Sequence, residues 1–318
     1  MAENSGIAWT DSTANFWWGC TKVGPGCDSC YAETWSRRTG GQHWGVGVPR
    51  RKIKGTVALL RKLNASGHKF LAENGRPRRV FIQSMSDLFD NEVPVEWFCE
   101  AWSLIEACDR LEIQIVTKRI SVVEKRLAGV GATAWPKHAG LLVTVCNQEE
   151  ADRDIPRLLA LKARFSIPWV GVSAEPLLGP IDFRNLRTGE RTRIDALTGA
   201  QAAYSAPGHG GDIGVMLASI PPYALPRDLY GHGLNWIVLG GESGRRARPM
   251  QIEWVRSVIE QTRGTATACF VKQMGANPRH GGLDAVTVST ALPIRDRAGA
   301  DPEEWPADLR VREYPLVP

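Results

Sequence analysis

Short apolar runs alternate along this chain with longer stretches whose apolar residues recur at helical spacing. The runs are Phe16 to Trp18, Val80 to Ser84, Glu112 to Thr117, Leu141 to Cys146, Trp169 to Ala174, Trp236 to Gly240 and Ala268 to Lys272. Most are β-branched or aromatic and apolar at successive positions, the pattern of strands covered on both faces. Between them, Pro94 to Cys108 sets Phe98, Ala101, Trp102 and Ile105 at helical spacing, with Glu96, Glu100 and Glu106 distributed around them. Glu149 to Ala163 and Ile252 to Thr262 read the same way, and Pro94 suits a first helical turn, where its missing N–H costs nothing. No repeat of fixed sequence period is present. Strand and helix in alternation predict parallel β/α units, so the expected fold class is α/β: a partial or complete parallel, TIM-like β/α barrel in a single domain spanning 1–318.

Two stretches break the rhythm. Residues 37 to 79 are basic and contain glycines, with Arg50, Arg51, Lys52, Lys54, Arg61 and Lys62. Residues 184 to 234 are rich in Gly, Pro and Arg and far exceed the ~2 to 6 residues of an ordinary β/α connection. They are expected as an insertion over the barrel mouth. The Pro- and charge-rich segment 295–318 reads as a surface tail.

Composition adds little to that outline: 43% hydrophobic and 23% charged is ordinary for a globular protein. No apolar run approaches the ~18 residues that span a bilayer, and the first residues lack the basic-then-apolar pattern of a secretory signal, so no membrane partner and a cytoplasmic location are expected. A net charge of +5 permits an anionic partner such as DNA or RNA, and equally permits none. Several of the 12 tryptophans, including Trp35, Trp44 and Trp254, lie among basic residues. Such rings stack on bases or, more commonly, fill a core.

The cysteines do change the picture. Three of the seven, Cys20, Cys27 and Cys30, fall within eleven positions, while Cys99, Cys108, Cys146 and Cys269 are scattered and read as buried small hydrophobes. In a reducing compartment such a cluster suggests metal before disulfide. Gly19, Gly24, Gly26 and Pro25 let the backbone fold tightly around a centre. Three thiolates fall one short of a tetrahedral set, so a zinc site needs a fourth ligand, for which His43 is the nearest candidate, whereas a [4Fe-4S] cluster with three protein ligands keeps one iron open. Both remain open on spacing alone, as does a loop that binds nothing.

The segment from Gly19 to Ala32 resembles the cluster loop of the radical S-adenosylmethionine superfamily, in which three cysteines follow the first strand of a partial β/α barrel and an aromatic, here Tyr31, flanks the last. The spacing of the first two cysteines departs from the commonest one, where three residues separate them. Over most of the chain, Gly19-Cys20, Gly26-Cys27, Cys30-Tyr-Ala, Ser84-Met-Ser-Asp-Leu-Phe89, Thr117-Lys-Arg119, Ser173-Ala-Glu-Pro-Leu-Leu-Gly-Pro180 and Gly240-Gly-Glu-Ser-Gly244 together resemble a phage and bacterial family of radical-SAM-like proteins with a three-Cys motif. The resemblance implies a [4Fe-4S] cluster on Cys20, Cys27 and Cys30, with S-adenosylmethionine as cofactor and an electron donor as partner. It further implies reductive cleavage to a 5'-deoxyadenosyl radical.

These motifs fall where predicted strands run out, and ligands of β/α barrels sit at the strands' carboxyl ends. Ser84, Asp87, Arg119, Asn147, Glu175, Gly240 and Gly241 are therefore the candidate cofactor-binding residues. Asp87 is offered for the methionine ammonium, Lys118 or Arg119 for the carboxylate, and Asn147 and Glu175 for the ribose. Lys118, Glu242 and Lys272 are the catalytic candidates. Each of these polar residues also suits a helix cap or an internal ion pair. The expected substrate is nucleic acid, for repair or modification, with Arg50 to Lys62 and Arg184, Arg187, Arg191 and Arg193 along a phosphate path. Two rivals compete: a non-catalytic nucleic-acid-binding protein with structural zinc, and an iron–sulfur redox or repair protein that does not use S-adenosylmethionine.

Overall fold

A computed structural model describes residues 1–203, 233–281 and 289–316. Seven strands, β1 (Ser12–Ala14), β2 (Arg78–Ile82), β3 (Leu111–Thr117), β4 (Ala139–Thr144), β5 (Val170–Ala174), β6 (Trp236–Gly240) and β7 (Ala268–Gln273), form one sheet. They lie side by side in chain order, and every pairing is parallel. This is the expected α/β class, with β1 and β7 left as edges, so the barrel is a curled half-barrel.

Strands that follow one another in order and cross over with one hand put all their helices on one side. The helices are α1 (Tyr31–Arg38), α2 (Gly55–Ala65), α3 (Gly67–Asn74), α4 (Val95–Ala107), α5 (Val123–Gly129), α6 (Gln148–Phe165) and α7 (Ile252–Thr262). Leu63 of α2, Phe98 of α4, Leu158 of α6 and Val255 of α7 share one buried cluster with Ile82, Ile115, Val143, Val172, Leu239 and Val271 of the strands. The alternate strand positions point the other way. Phe81, Leu142, Trp236, Val238 and Phe270 meet Trp9 and Trp169 in a second cluster that fills the lower interior. Gly140 is a glycine because the Trp169 ring lies 2.0 Å from where a Cβ would stand.

The edges of the sheet are covered by the two end segments. Ala2 and Thr13 exchange backbone hydrogen bonds at 2.9 Å along β1, while Val271 donates to Val311 at 2.8 Å and Glu313 to Cys269 at 2.9 Å along β7. Each covers a row of backbone groups that is otherwise an open template for pairing. The tail thus does more than wrap the surface: Trp305 and Leu309 are buried in the outer cluster. Tyr314 Oη donates to the Ala8 carbonyl at 3.1 Å, joining the edges below the sheet.

Several expectations from the sequence need correction. The first strand is Ser12–Ala14, and Trp17–Trp18 instead pairs antiparallel with Arg51–Lys52, because the polar Ser12 and Thr13 carry the ladder while the neighbouring aromatics pack beside it. Pro94 precedes α4 instead of opening it, its carbonyl accepting from Trp97 and Phe98. Cys99 is exposed on α4, whereas Cys108, Cys146 and Cys269 are buried as expected. Within the expected insertion, Leu186–Arg187, Thr192–Ile194 and Gln201–Ala203 form an antiparallel sheet. Its Leu186 is buried in the outer cluster and its Arg187 pairs with Asp152 of α6 at 3.2 Å. The larger part of the excursion expected over the mouth, 204–232, lies outside the described residues.

Trp236 touches Trp9, Trp169, Phe270 and Tyr314, with ring centroids 5.7 to 6.2 Å apart. Trp236→Ala is expected to cost about 3–5 kcal/mol of unfolding free energy in urea titrations, with the m-value unchanged.

Candidate functional site

Above the aromatic plug the interior opens into a cavity of about 470 Å³ at the carboxyl ends of the strands. Cys20, Cys27 and Cys30 all line it. Their loop leaves β1 and is fixed at both ends by side chains. Asn15 Oδ1 accepts from the Met85 N–H at 2.8 Å, and Gln83 Oε1 accepts from the Phe16 N–H at 2.7 Å, so the exits of β1 and β2 are tied together. Gly19 has φ 106°, and a Cβ there would stand 2.2 Å from the His43 carbonyl oxygen. Cys27 closes a 3₁₀ turn, its N–H donating to the Gly24 carbonyl at 2.9 Å, and Cys30 immediately precedes α1. Gly26 packs on Cys146 at the end of β4, whose Sγ is 2.6 Å from the Cβ an alanine would add.

Three charged side chains that sequence reasoning missed or misassigned hold this loop. Arg50, placed on a phosphate path from sequence, is fully buried. Its Nε donates to Asp90 at 2.7 Å, its Nη2 to Thr21 Oγ1 at 2.6 Å and its Nη1 to the carbonyls of Gly45 and Val48. Arg248 donates to the Pro25 carbonyl at 2.8 Å and pairs with Asp28 at 3.2 Å, bridging the loop to Glu242. Asp90 completes the set. No local sequence pattern marks these partners, since the chain brings them together from 40 or 220 positions apart.

The structure brings most of the candidate residues to the cavity and gives several of them prior engagements. Ser84, Asp87, Lys118, Arg119, Glu175 and Gly241 line it, as do Glu242 and Lys272. Asp87 accepts from Thr117 Oγ1 at 2.9 Å, the Phe89 N–H at 2.9 Å and the Lys118 N–H at 2.9 Å, which spends its oxygens on the ends of β2 and β3. Arg119 donates to Cys20 Sγ at 3.4 Å and to the Thr21 carbonyl at 2.7 Å. Glu175 pairs with Lys272 at 2.9 Å. Glu242 is clamped by Arg248, at 2.7 Å from Nη2 and 2.9 Å from its N–H. Burial would raise the Glu242 carboxyl, but the Arg248 guanidinium and backbone N–H hold it below the ordinary value. Lys118 reaches Thr144 Oγ1 at 3.3 Å.

Two candidates fall elsewhere. Asn147 caps α6, its Oδ1 accepting from the Glu150 N–H at 2.9 Å, so its side chain is spent on the helix start. Gly240 does not line the cavity. It makes room for Glu175, whose Oε1 lies 2.6 Å from where a Cβ would be. Burial first, then the Asp87 carboxylate, pushes the Cys20 thiol up to about 12, with Arg119 acting in opposition. Among the described residues no three His, Cys, Asp or Glu side chains converge as the ligand set of a single ion. All three cysteines nonetheless line the one cavity.

Fold and site define a parallel α/β half-barrel with a cavity at its mouth that three cysteines help to line. Residues 4–301 match the family described as "Protein of unknown function (DUF5131)", and the chain belongs to that family. The description carries neither a phage origin nor an activity. No curated protein matches the chain. Among solved structures, a spore photoproduct lyase double mutant with bound AdoMet and dinucleoside spore photoproduct is similar at 13% identity and a TM-score of 0.38, over 89% of this chain and 68% of that one. A spore photoproduct lyase complexed with dinucleoside spore photoproduct gives 12% and 0.37, over 93% and 72%. At these values the likeness carries no weight for function. Among the described residues no helix is long and apolar enough to cross a membrane.

The contact of Gly26 with Cys146 yields a test that needs no cofactor. Gly26→Ala is expected to destabilise the protein by about 1–3 kcal/mol. Adding Cys146→Ala should recover more than half of that, a coupling read from a double-mutant cycle of urea unfolding.

Proposed function

We propose that this protein is an iron–sulfur enzyme of the radical S-adenosylmethionine type, with Cys20, Cys27 and Cys30 as the ligands of a [4Fe-4S] cluster. The observation that carries this is the placement of all three thiols on one cavity at the carboxyl ends of parallel strands. Three cysteines on one cavity, without a fourth Cys, His, Asp or Glu grouped with them among the described residues, suit a polynuclear centre, in which each sulfur takes a different metal atom, better than one zinc ion. When bound and reduced, a cluster with one iron free of protein ligands supplies the electron that cleaves the sulfonium of S-adenosylmethionine.

The chain's own residues supply binding, orientation and exclusion of water. Lys118 and Lys272 are the cations facing the cavity that suit a carboxylate, and Glu175, beside Lys272, is an acceptor for an ammonium or hydroxyl. Gly241 lets backbone approach a flat ring. Asp87, Arg119 and Glu242, engaged with their protein partners, position the walls. The aromatic plug below keeps solvent from entering from the far side.

For the substrate, nucleic acid is the reading favoured by the face of α1 at the cavity mouth, where Tyr31 lines the cavity and its hydroxyl donates to the Ser84 carbonyl. Tyr31 and Trp35, four residues apart on one helical face, are both about half exposed. Trp35 meets Trp18 edge-on at 5.1 Å, and Arg51 lies over Trp18 at 5.5 Å. Aromatic rings with an arginine beside a cavity mouth suit stacking on an unpaired base.

Anaerobic reconstitution is expected to give about four irons and a broad visible band, both lost in Cys27→Ala, and cleavage of S-adenosylmethionine under dithionite. Stoichiometric zinc without visible absorption would sink this reading. Separately, Trp35→Ala is expected to weaken single-stranded oligonucleotide binding by about 1–3 kcal/mol in fluorescence titrations, in a background that itself weakens as salt rises. Salt-independent or absent binding would exclude the nucleic-acid substrate.

A further inference from the structure

We infer that Arg119 is a positioning residue that sets the reduction potential of the cluster through the sulfur of Cys20. The inference rests on the proposed cluster and concerns a contact that the cluster itself does not require. Arg119 Nη2 is 3.4 Å from Cys20 Sγ and donates at 2.7 Å to the carbonyl of the next residue, Thr21, so the guanidinium is locked against this one cysteine. Neither Cys27 nor Cys30 has a comparable charged donor on its sulfur among the described residues. The side chain is 6% exposed, which leaves its charge little screened by solvent.

The charge is held in place by the layer beneath. Asp90 Oδ1 lies 3.6 Å from Arg119 Nη2, and its other oxygen takes the Arg50 Nε at 2.7 Å. Arg50 in turn fixes Thr21 through Oγ1. Two buried guanidiniums thus share one buried carboxylate, Arg50 pairs further with Glu92 at 3.5 Å, and Arg119 is left presenting its Nη2 to the Cys20 sulfur. Arg119 Nε is buried with no hydrogen-bond partner.

A one-electron reductant adds one electron to the cluster and hence one negative charge to the site. A fixed cation and a charge-assisted hydrogen bond at a ligand sulfur stabilise that added charge more than the oxidised state, so they raise the potential. Arg119 on this account acts on when the cluster accepts an electron, and its guanidinium is not a ligand of the S-adenosylmethionine carboxylate.

The test is a dithionite titration with mediator dyes, followed by electron paramagnetic resonance, on the reconstituted full chain and on Arg119→Gln and Arg119→Lys. Asp90 keeps its 2.7 Å partner Arg50 in both variants, so no carboxylate is stranded. With iron content and melting curve preserved, Arg119→Gln is expected to shift the reduced-to-oxidised ratio at fixed potential at least tenfold toward oxidised. That corresponds to about 59 mV for a one-electron couple, with Arg119→Lys falling in between. An unchanged potential with iron retained would overturn the inference while leaving the cluster reading intact. Loss of iron from both variants with native melting would also overturn it, assigning Arg119 to loop placement alone. An iron-free wild type would instead fail the cluster reading. Should the variants not fold, the wild type decides through resonance Raman: a hydrogen-bonded Cys20 sulfur requires an iron–thiolate band that shifts in heavy water, and its absence refutes the contact.

Discussion

Seven parallel strands in chain order leave one face of the sheet without helices, and that face must be filled by the strands' own side chains. The filling is uneven along the strands. At their amino ends Trp9, Trp169, Trp236 and Phe270 close the interior, where apolar area removed from water contributes about 25 cal/mol per Å². At their carboxyl ends the same inward positions carry Lys118, Glu175 and Lys272, and the interior opens. Period-two alternation therefore does two jobs on each strand, a hydrophobic one below and a polar one above.

The cysteine loop is held in that opening by charge and by the absence of side chains. Gly19 and Gly26 allow it to lie against the His43 carbonyl and Cys146, distances that any Cβ would violate. Arg50, Asp90, Arg119 and Arg248 tie it to the ends of β2, β3 and β6. Buried ion pairs of this kind add little net stability, because desolvation offsets their attraction, but removing one partner leaves an uncompensated charge. Their contribution here is to geometry: they fix where Cys20 stands before any ligand arrives.

How far the sequence disclosed this depends on the range of each interaction. β2 to β7 were legible because each buries apolar residues over several successive positions. β1 was not, because Ser12 and Thr13 carry no apolar signal and owe their place to pairing with β2 and Ala2. The thiol cluster was legible from local spacing, and strand ends pointed to Lys118, Glu175, Glu242 and Lys272. Asn147 misled because a strand's end is also the next helix's start, where a cap and a ligand look alike. Arg50 was misread as surface charge and Arg248 passed over, since Asp90 lies 40 positions from Arg50 and Asp28 lies 220 from Arg248.

The hydrogen bond from Tyr314 to Ala8 joins positions 306 apart. Loop-closure entropy must be met before so distant a contact forms, and chains dominated by non-local pairing fold slowly. The parallel sheet adds strand by strand, yet its two rims are covered by segments far apart in the chain, Ala2 beside β1 and residues 311 to 313 beside β7. During translation β1 can receive Ala2 at once, whereas β7 waits for residues 311 to 313. The interval in which that rim stands open is when this protein is most exposed to association with other unfinished chains, and a chaperone would have most to protect there.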